Sequence, residues 1–313
     1  MKFLNSTLCS ALVLLFSLNM SILSQTAHAC ACGCGIFDVG TSAMLPSESG
    51  TMLFAEYDFM NQNQNRHATS VSNAANNLDK VIKTQYLTLG AQTMFTRSLG
   101  IQIDLPLVKR HFETVDPDTS TLGSFDHTAL GDIRVKGIYT GFSADMSTGV
   151  MFGFKLPTGS TDAPGFDYDT QIGTGSTDLL LGIYHFSALS DDKLWNSIFQ
   201  VNLNQPLLTQ HDYIPGNEVD LAYGVFHSGL KWFPEFALVP MLQLRAALKA
   251  SDHGSNGHSD DTGSERLLMA PGLEISYRNW RLYSDISLPL YQFMNGNQLV
   301  SNGLFKLIVS YLF

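Results

Sequence analysis

Charge is scarce in this chain of 313 residues: Asp, Glu, Lys and Arg make up 15% of it, where about 25% is usual for soluble proteins. Basic residues are the scarcer sign, 18 against 28 acids, for a formal net charge of −10. That balance excludes the electrostatics of nucleic-acid binding. Cysteine is missing beyond position 34; Cys9, Cys30, Cys32 and Cys34 all lie near the start. No disulfide framework can therefore hold the remainder together. After residue 29 no run approaches the roughly 18 apolar residues of a spanning helix. Helical periodicity is scarce too, whereas glycine (26 residues) and aromatics (11%) are plentiful.

The first 29 residues have the layout of a cleaved export signal: Lys2 at the start, a largely apolar Leu12–Leu23, and the small residues Ala27 and Ala29 before the cut. Its removal takes one Lys and no acid, leaving 17 − 28 = −11. An exported chain of this composition is expected to be an all-β, transmembrane antiparallel β-barrel. The terminal LFKLIVSYLF, with Phe305, Tyr311 and Phe313 on one face, resembles the ending of bacterial outer-membrane proteins.

A membrane barrel calls for segments of about ten residues, apolar outward and polar inward, joined alternately by short turns and long loops. The chain divides so twelve times: 50–61, 82–96, 101–112, 132–143, 148–158, 176–188, 194–208, 218–230, 236–250, 266–277, 280–292 and 303–313. The short turns RSLG, SADMS, LSDDK, FPE and YRN follow even-numbered segments. The long connections 62–81, 113–131, 159–175, 209–217, 251–265 and 293–302 follow odd-numbered ones. A soluble sandwich would not sort its loops by length. The domain expectation is a signal over 1–29, a Cys/Gly-rich lead over 30–49, and a barrel over 50–313 in a Gram-negative outer membrane. Both termini then face the periplasm, with the long loops outside among lipid and lipopolysaccharide.

Within LWNSIFQVNLNQ, Trp195, Phe199, Val201 and Leu203 face one way, and Asn196, Gln200, Asn202 and Asn204 the other. Lys or Arg on the lipid face costs about 2–4 kcal/mol at mid-depth, so charges in the strands are assigned to the lumen. The acids are Glu56, Asp58, Asp104, Asp178, Asp220, Glu274 and Asp285. The bases are Arg110, Arg134, Lys136, Lys155, Arg245, Lys249, Arg266 and Lys306. This near-balance fits either a salt-bridged filling or a water-filled pore of modest selectivity. Four outward-running strands carry a late proline: Pro106, Pro157, Pro206 and Pro289. Each is expected to interrupt pairing or mark the outer rim, since proline gives the ladder no N–H. Broken pairing could alternatively make a side opening for an apolar solute.

FGFKLPTGSTD (152–162) followed by QIGTGSTDLLLGIYH (171–185) resembles the matching segments of the outer-membrane transporter family of the meta-pathway phenol-degradation type. The resemblance implies a barrel and uptake of small organic molecules.

Among the outer loops, Asp252, His253, His258, Asp260 and Asp261 are either a solvated His/Asp run or a cup for a divalent cation. Enzyme chemistry is not expected. His185-Phe186-Ser187, the one His-x-Ser tripeptide, lies at the periplasmic end, where an interfacial lipase would have no substrate. GTGST (173–177) lacks the following helix and the Lys of a phosphate loop and is read as a turn.

The lead CACGCG leaves Cys30, Cys32 and Cys34 unable to pair completely, and Cys-x-Cys rings are strained. Ala27 and His28 make a poor lipid-attachment sequence. Small residues between the thiols would let them converge on a thiophilic metal such as Cu or Zn; an inert, partly oxidised tail is the plainer reading. Ile36, Phe37, Val39, Met44 and Leu45 could carry the lead back into the lumen as a plug. The expected function is thus a porin-like channel for a small solute, gated by the CxCxC segment. The alternative is a metal-handling or structural protein whose barrel is only an anchor.

Overall fold

The computed structural model describes Leu45, Pro46 and residues 49–313; the signal and Cys30, Cys32 and Cys34 of the lead lie outside the described residues. In chain order the strands are β1 (Gly50–Ala68), β2 (Ser70–Val71), β3 (Asp79–Met94), β4 (Leu99–Val115), β5 (Leu122–Leu130), β6 (Arg134–Tyr139), β7 (Thr148–Lys155), β8 (Thr177–Ala188), β9 (Trp195–Leu208), β10 (Glu218–His227), β11 (Leu230–Phe233), β12 (Phe236–Lys249), β13 (Ser264–Tyr277) and β14 (Trp280–Leu312). Neighbours in the sheet run β10-β9-β8-β7-β6-β4-β3-β1-β14-β13-β12, and β10 pairs with β12. That last antiparallel pairing closes the ring, which leaves the wall no free edge there. Among the described residues eleven continuous elements form the closed barrel; β2, β5 and β11 each pair with one neighbour only.

The twelve expected segments appear as eleven continuous elements, and the reason is local. The eleventh and twelfth segments form one continuous extended element, β14, of 33 residues. Trp280–Met294 pairs with β13 and Asn297–Leu312 with β1. Between them Gly296 takes a positive φ of 73°, and the Ser284 hydroxyl reaches the Lys306 carbonyl at 3.1 Å. The chain has doubled back without losing its extended conformation.

Two expected loops are also partly strand. β1 continues to Ala68 and β5 occupies 122–130. The polar run NQNQNRH shows no apolar alternation because neither face of that ribbon meets an apolar phase. Lower down, the alternation is regular. Leu87, Leu89, Leu105, Phe152, Phe154, Leu181, Ile183, Leu242, Leu244, Ile286 and Leu288 are exposed on the outside of the ring. Near one end the aromatics gather: Tyr139 against Phe142 at 5.0 Å, Trp280 against Tyr311 at 4.8 Å, and Tyr311 against Phe313 at 4.7 Å between ring centroids. An apolar band edged by aromatics is the outer surface of a membrane barrel.

The prolines sit where pairing changes. Pro206 and Pro289 each fall at a register shift, opposite Asp178 and Leu268. Pro157 lies two residues beyond the end of β7. At Pro106 the neighbour of β4 changes: β6 pairs up to Asp104, and β5 begins at Leu107. β5 pairs with β4 alone; beyond β7 the wall continues in the two arms of the next connection, 156–162 and 172–176, with the Leu156 N–H donating to the Ile133 carbonyl at 2.8 Å and the Gly173 N–H to the Ser160 carbonyl at 2.7 Å.

Candidate solute pathway

The inside of the ring has three levels. At the end carrying the chain terminus, Met94, Ile138, Met151, Tyr184 and Ile198 form a buried apolar cluster, joined through Phe226 to Met52, Phe54, Met241, Tyr283 and Ile308. Leu45 of the lead is buried in this cluster although it belongs to no strand. Leu45 and Pro46 also line a small cleft with Met52, Met94 and Leu312. Methionine is flexible and polarisable, and fills irregular apolar space without fixing its shape.

The middle level is polar and strand-borne. Arg245, 1% exposed, donates to Asp285 at 2.6 Å and to the Ser287 hydroxyl at 2.9 Å. Tyr283 also donates to Asp285, at 2.9 Å. Lys306 pairs with Glu56 and lies 3.7 Å from Asp58. On the opposite wall Lys136 meets Asp104 at 2.7 Å, and Lys155 meets Asp178 at 2.5 Å. Arg134 is half-buried, between Asp104 and Lys155 in the sheet. Asp220, Arg266 and Glu274 are buried, and half-buried Lys249 reaches Asp252 at 3.0 Å. Buried charge pairs of this kind hold only with good geometry and further hydrogen bonds, which the Ser287 and Tyr283 hydroxyls supply here.

The outer mouth is crossed by the connection 156–176. Its two arms meet where Gly159 and Gly173 touch: a Cβ on Gly159 would lie 2.6 Å from the Cα of Gly173. That contact explains Gly159 of PTGST and Gly173 of IGTGS. Asp132 anchors both arms, accepting from the Gly159 N–H at 2.9 Å, the Thr174 N–H at 2.9 Å and the Thr174 hydroxyl at 2.8 Å. Beyond this foot, residues 163–171 fold on themselves. The Gln171 side chain accepts from the Ala163 N–H at 3.0 Å and donates to the carbonyls of Ala163 (3.0 Å) and Phe166 (2.9 Å).

Arg110, 1% exposed, projects inward from β4 and donates to the carbonyls of Thr170 at 2.6 Å and Gln171 at 2.8 Å. It also donates to the hydroxyls of Thr84 and Tyr86, both at 3.1 Å. Tyr168 stacks on His211 and Tyr213, with centroids 5.7 and 6.4 Å apart. The segment therefore reaches from β4 to the connection between β9 and β10. Asp169 lies buried in between, and neither carboxylate oxygen has a hydrogen-bond partner among the described residues. Desolvation, reinforced by Asp167, Asp79 and Asp252, raises its pKa well above the usual carboxylate value, against the pull of Lys249.

Sequence reasoning assigned Arg110 to the lumen but missed its partners, because backbone carbonyls carry no residue signature. Asp132 was missed as well; GDI at a strand start is unremarkable. Asp252 accepts from the Gly216 N–H at 2.7 Å and the Tyr213 hydroxyl at 3.0 Å. These bonds tie it to the neighbouring connection rather than to the other members of the His/Asp run. Among the described residues no group of three or more His, Cys, Asp or Glu is arranged to hold a metal ion. His185 faces outward and bonds the Thr148 hydroxyl at 2.8 Å. Cys30, Cys32 and Cys34 lie outside the described residues.

No protein-family pattern matches this sequence, and no curated protein matches it. Solved structures do. The COG4313 outer membrane channel from Pseudomonas putida F1 matches with a TM-score of 0.66 at 13% identity, over 88% of this chain and 100% of that one. The β domain of the Bordetella autotransporter BrkA (TM-score 0.49, 10% identity, 85% and 100% covered) and the Pseudomonas putida toluene transporter TodX (0.43, 10%, 92% and 95%) are more distant barrels. The first likeness establishes the fold: this chain has the architecture of an outer-membrane β-barrel.

Proposed function

We propose that the protein is an outer-membrane channel for small, largely apolar organic solutes, closed at the inner end by its lead and at the outer end by residues 163–171. One observation carries the reading. The ring accommodates two pieces of chain that are not part of its wall, Leu45 at one end and the 163–171 segment at the other. A lumen that houses displaceable chain can house a solute of similar size. The inner cluster of methionines and aromatics suits an apolar cargo, and the solved outer-membrane channel that shares the fold supports a channel as such. In this arrangement the charges at Glu56, Asp58, Asp104, Asp178, Asp220, Glu274 and Asp285, with Arg134, Lys136, Lys155, Arg245, Lys249 and Lys306, line the path between the two closures. The pairs Lys136–Asp104, Lys155–Asp178, Arg245–Asp285 and Lys306–Glu56 cancel most of that charge, which leaves no strong preference for an ion of either sign. The apolar outer band faces lipid, the long loops face lipopolysaccharide, and the lead with its three thiols enters from the periplasm.

Proteoliposomes test this. Labelled small aromatic and aliphatic hydrocarbons should equilibrate with an internal trap several-fold faster through the folded full-length chain than through protein-free vesicles. Sugars and amino acids should not. Fast entry of hydrophilic solutes with no gain for apolar ones would replace this reading by a general porin.

A further inference from the structure

We propose that the slot holding the Phe166 ring is a binding site for one monocyclic aromatic molecule, and that Phe166 occupies it as an internal competitor when the outer mouth is closed. The ring lies among Phe112, Phe125 and His127, with centroids 5.5, 6.3 and 6.1 Å away and tilts of 30°, 57° and 57°. Ile82 and Leu299 complete the cluster. Tilted aromatic neighbours at these separations favour a π-ring guest over an aliphatic group of equal size. The host residues come from the barrel and from β5, whereas the guest comes from the crossing segment.

The guest is built to be separable. Gly165, at a φ of 81°, turns the chain so closely over Phe125 that a Cβ there would lie 2.3 Å from that ring. Only the benzyl group therefore enters the slot. The segment around it is held together by the Gln171 side chain, so it can lift as a unit about the Asp132 foot. Seating it also buries Asp169 without a hydrogen-bond partner among the described residues, which opposes the closed state. A free aromatic molecule makes the same ring contacts without burying that carboxylate. The Phe side chain cut at its Cβ is toluene, which makes toluene the closest probe. The chemistry is non-covalent exchange, one ring for another, and the apparent affinity is the intrinsic one multiplied by the fraction of time Phe166 is away.

This inference rests on the channel reading only for how a ligand reaches the mouth, and its test needs no transport. Chymotrypsin cuts after Phe166 and Tyr168 once they leave their seats. With the full-length chain folded in lipid vesicles, saturating toluene should speed cleavage there at least tenfold. Methylcyclohexane, similar in size but without a π system, should change it less than twofold. Phe166→Leu, which keeps an apolar side chain but removes the competing ring, should bind toluene at least fivefold tighter than the parent, read from the concentration giving half-maximal cleavage after Tyr168. No toluene effect, an equal effect of both hydrocarbons, or unchanged affinity in Phe166→Leu would each overturn the proposal. A chain that conducts but fails these tests loses this site alone; one that passes them yet admits no solute loses the channel reading.

Discussion

The middle of the lumen and the cap of its outer mouth are both held by buried polar contacts, but of opposite kinds. In the middle, Arg245–Asp285 and Lys155–Asp178 join side chains fixed on different strands of a closed ring. Neither partner can leave without unpairing the barrel. At the cap, Arg110 holds two carbonyls of a segment that lies outside the wall. Its release unpairs no strand. The same residue type thus serves as permanent filling in one place and as a latch in the other, and what decides is whether the acceptor belongs to the sheet. Local opening is drawn from elements with few ties to the core, and residues 163–171 fit that description.

The comparison can be broken most forcefully in the middle. Asp285→Ala strands the Arg245 guanidinium and should lower barrel stability by about 3–5 kcal/mol, read from urea midpoints of the folded, heat-modifiable form. Hydrogen exchange within 163–171 should stay unchanged. If the cap loosens equally, the two levels are one cooperative unit.

Arg110→Met attacks the other side. Hydrogen bonds to a charged donor contribute about 1.5–3 kcal/mol, and the loss of this latch should raise exchange in 163–171 by roughly one to two orders of magnitude. The urea midpoint should move little, because the substitution leaves an unpaired methionine rather than an unpaired charge. A collapse of the barrel would place Arg110 with the structural charges.

The smallest effect is a pH dependence confined to the cap. Asp169 has a raised pKa when seated, chiefly from desolvation, and an ordinary one near 3.8 when released into water. Seating therefore takes up a proton. The stabilisation linked to that proton is complete below the ordinary value and is lost as pH rises through the raised one. Exchange in 163–171, corrected for its intrinsic rate, should be faster at pH 8 than at pH 5. In Asp169→Asn the difference should vanish, whereas the barrel strands should show none in either protein.

Legibility followed the surroundings of each residue. Trp195, Phe199, Val201 and Leu203 on one face of β9 were readable because an apolar phase outside the ring demands one kind of side chain. NQNQNRH at the end of β1 was read as loop because both faces of that ribbon meet water or polar groups, which leaves the period unmarked. Glycines 159 and 173 were recognisable as turn residues, but their mutual contact depends on two arms crossing, and spacing does not reveal that. Asp132 and Asp169 illustrate the limit for the site. The first binds backbone N–H groups and a hydroxyl, the second has no hydrogen-bond partner among the described residues, and neither situation leaves a sequence pattern. Arg245, Asp285, Lys155 and Asp178 are buried, as expected from the cost of exposing a charge to lipid, which leaves only one side of the strand.

The central claim is that two displaceable pieces of chain close one continuous path. Single-channel conductance tests it most directly, comparing the full-length chain, Arg110→Met, a chain lacking residues 30–49, and the two changes combined, with folding confirmed by heat-shifted gel mobility. The account predicts little or flickering current from the first three and a steady conductance, several-fold larger, only when both closures are weakened. Equal conductance in all four, or none in the combination, would contradict it.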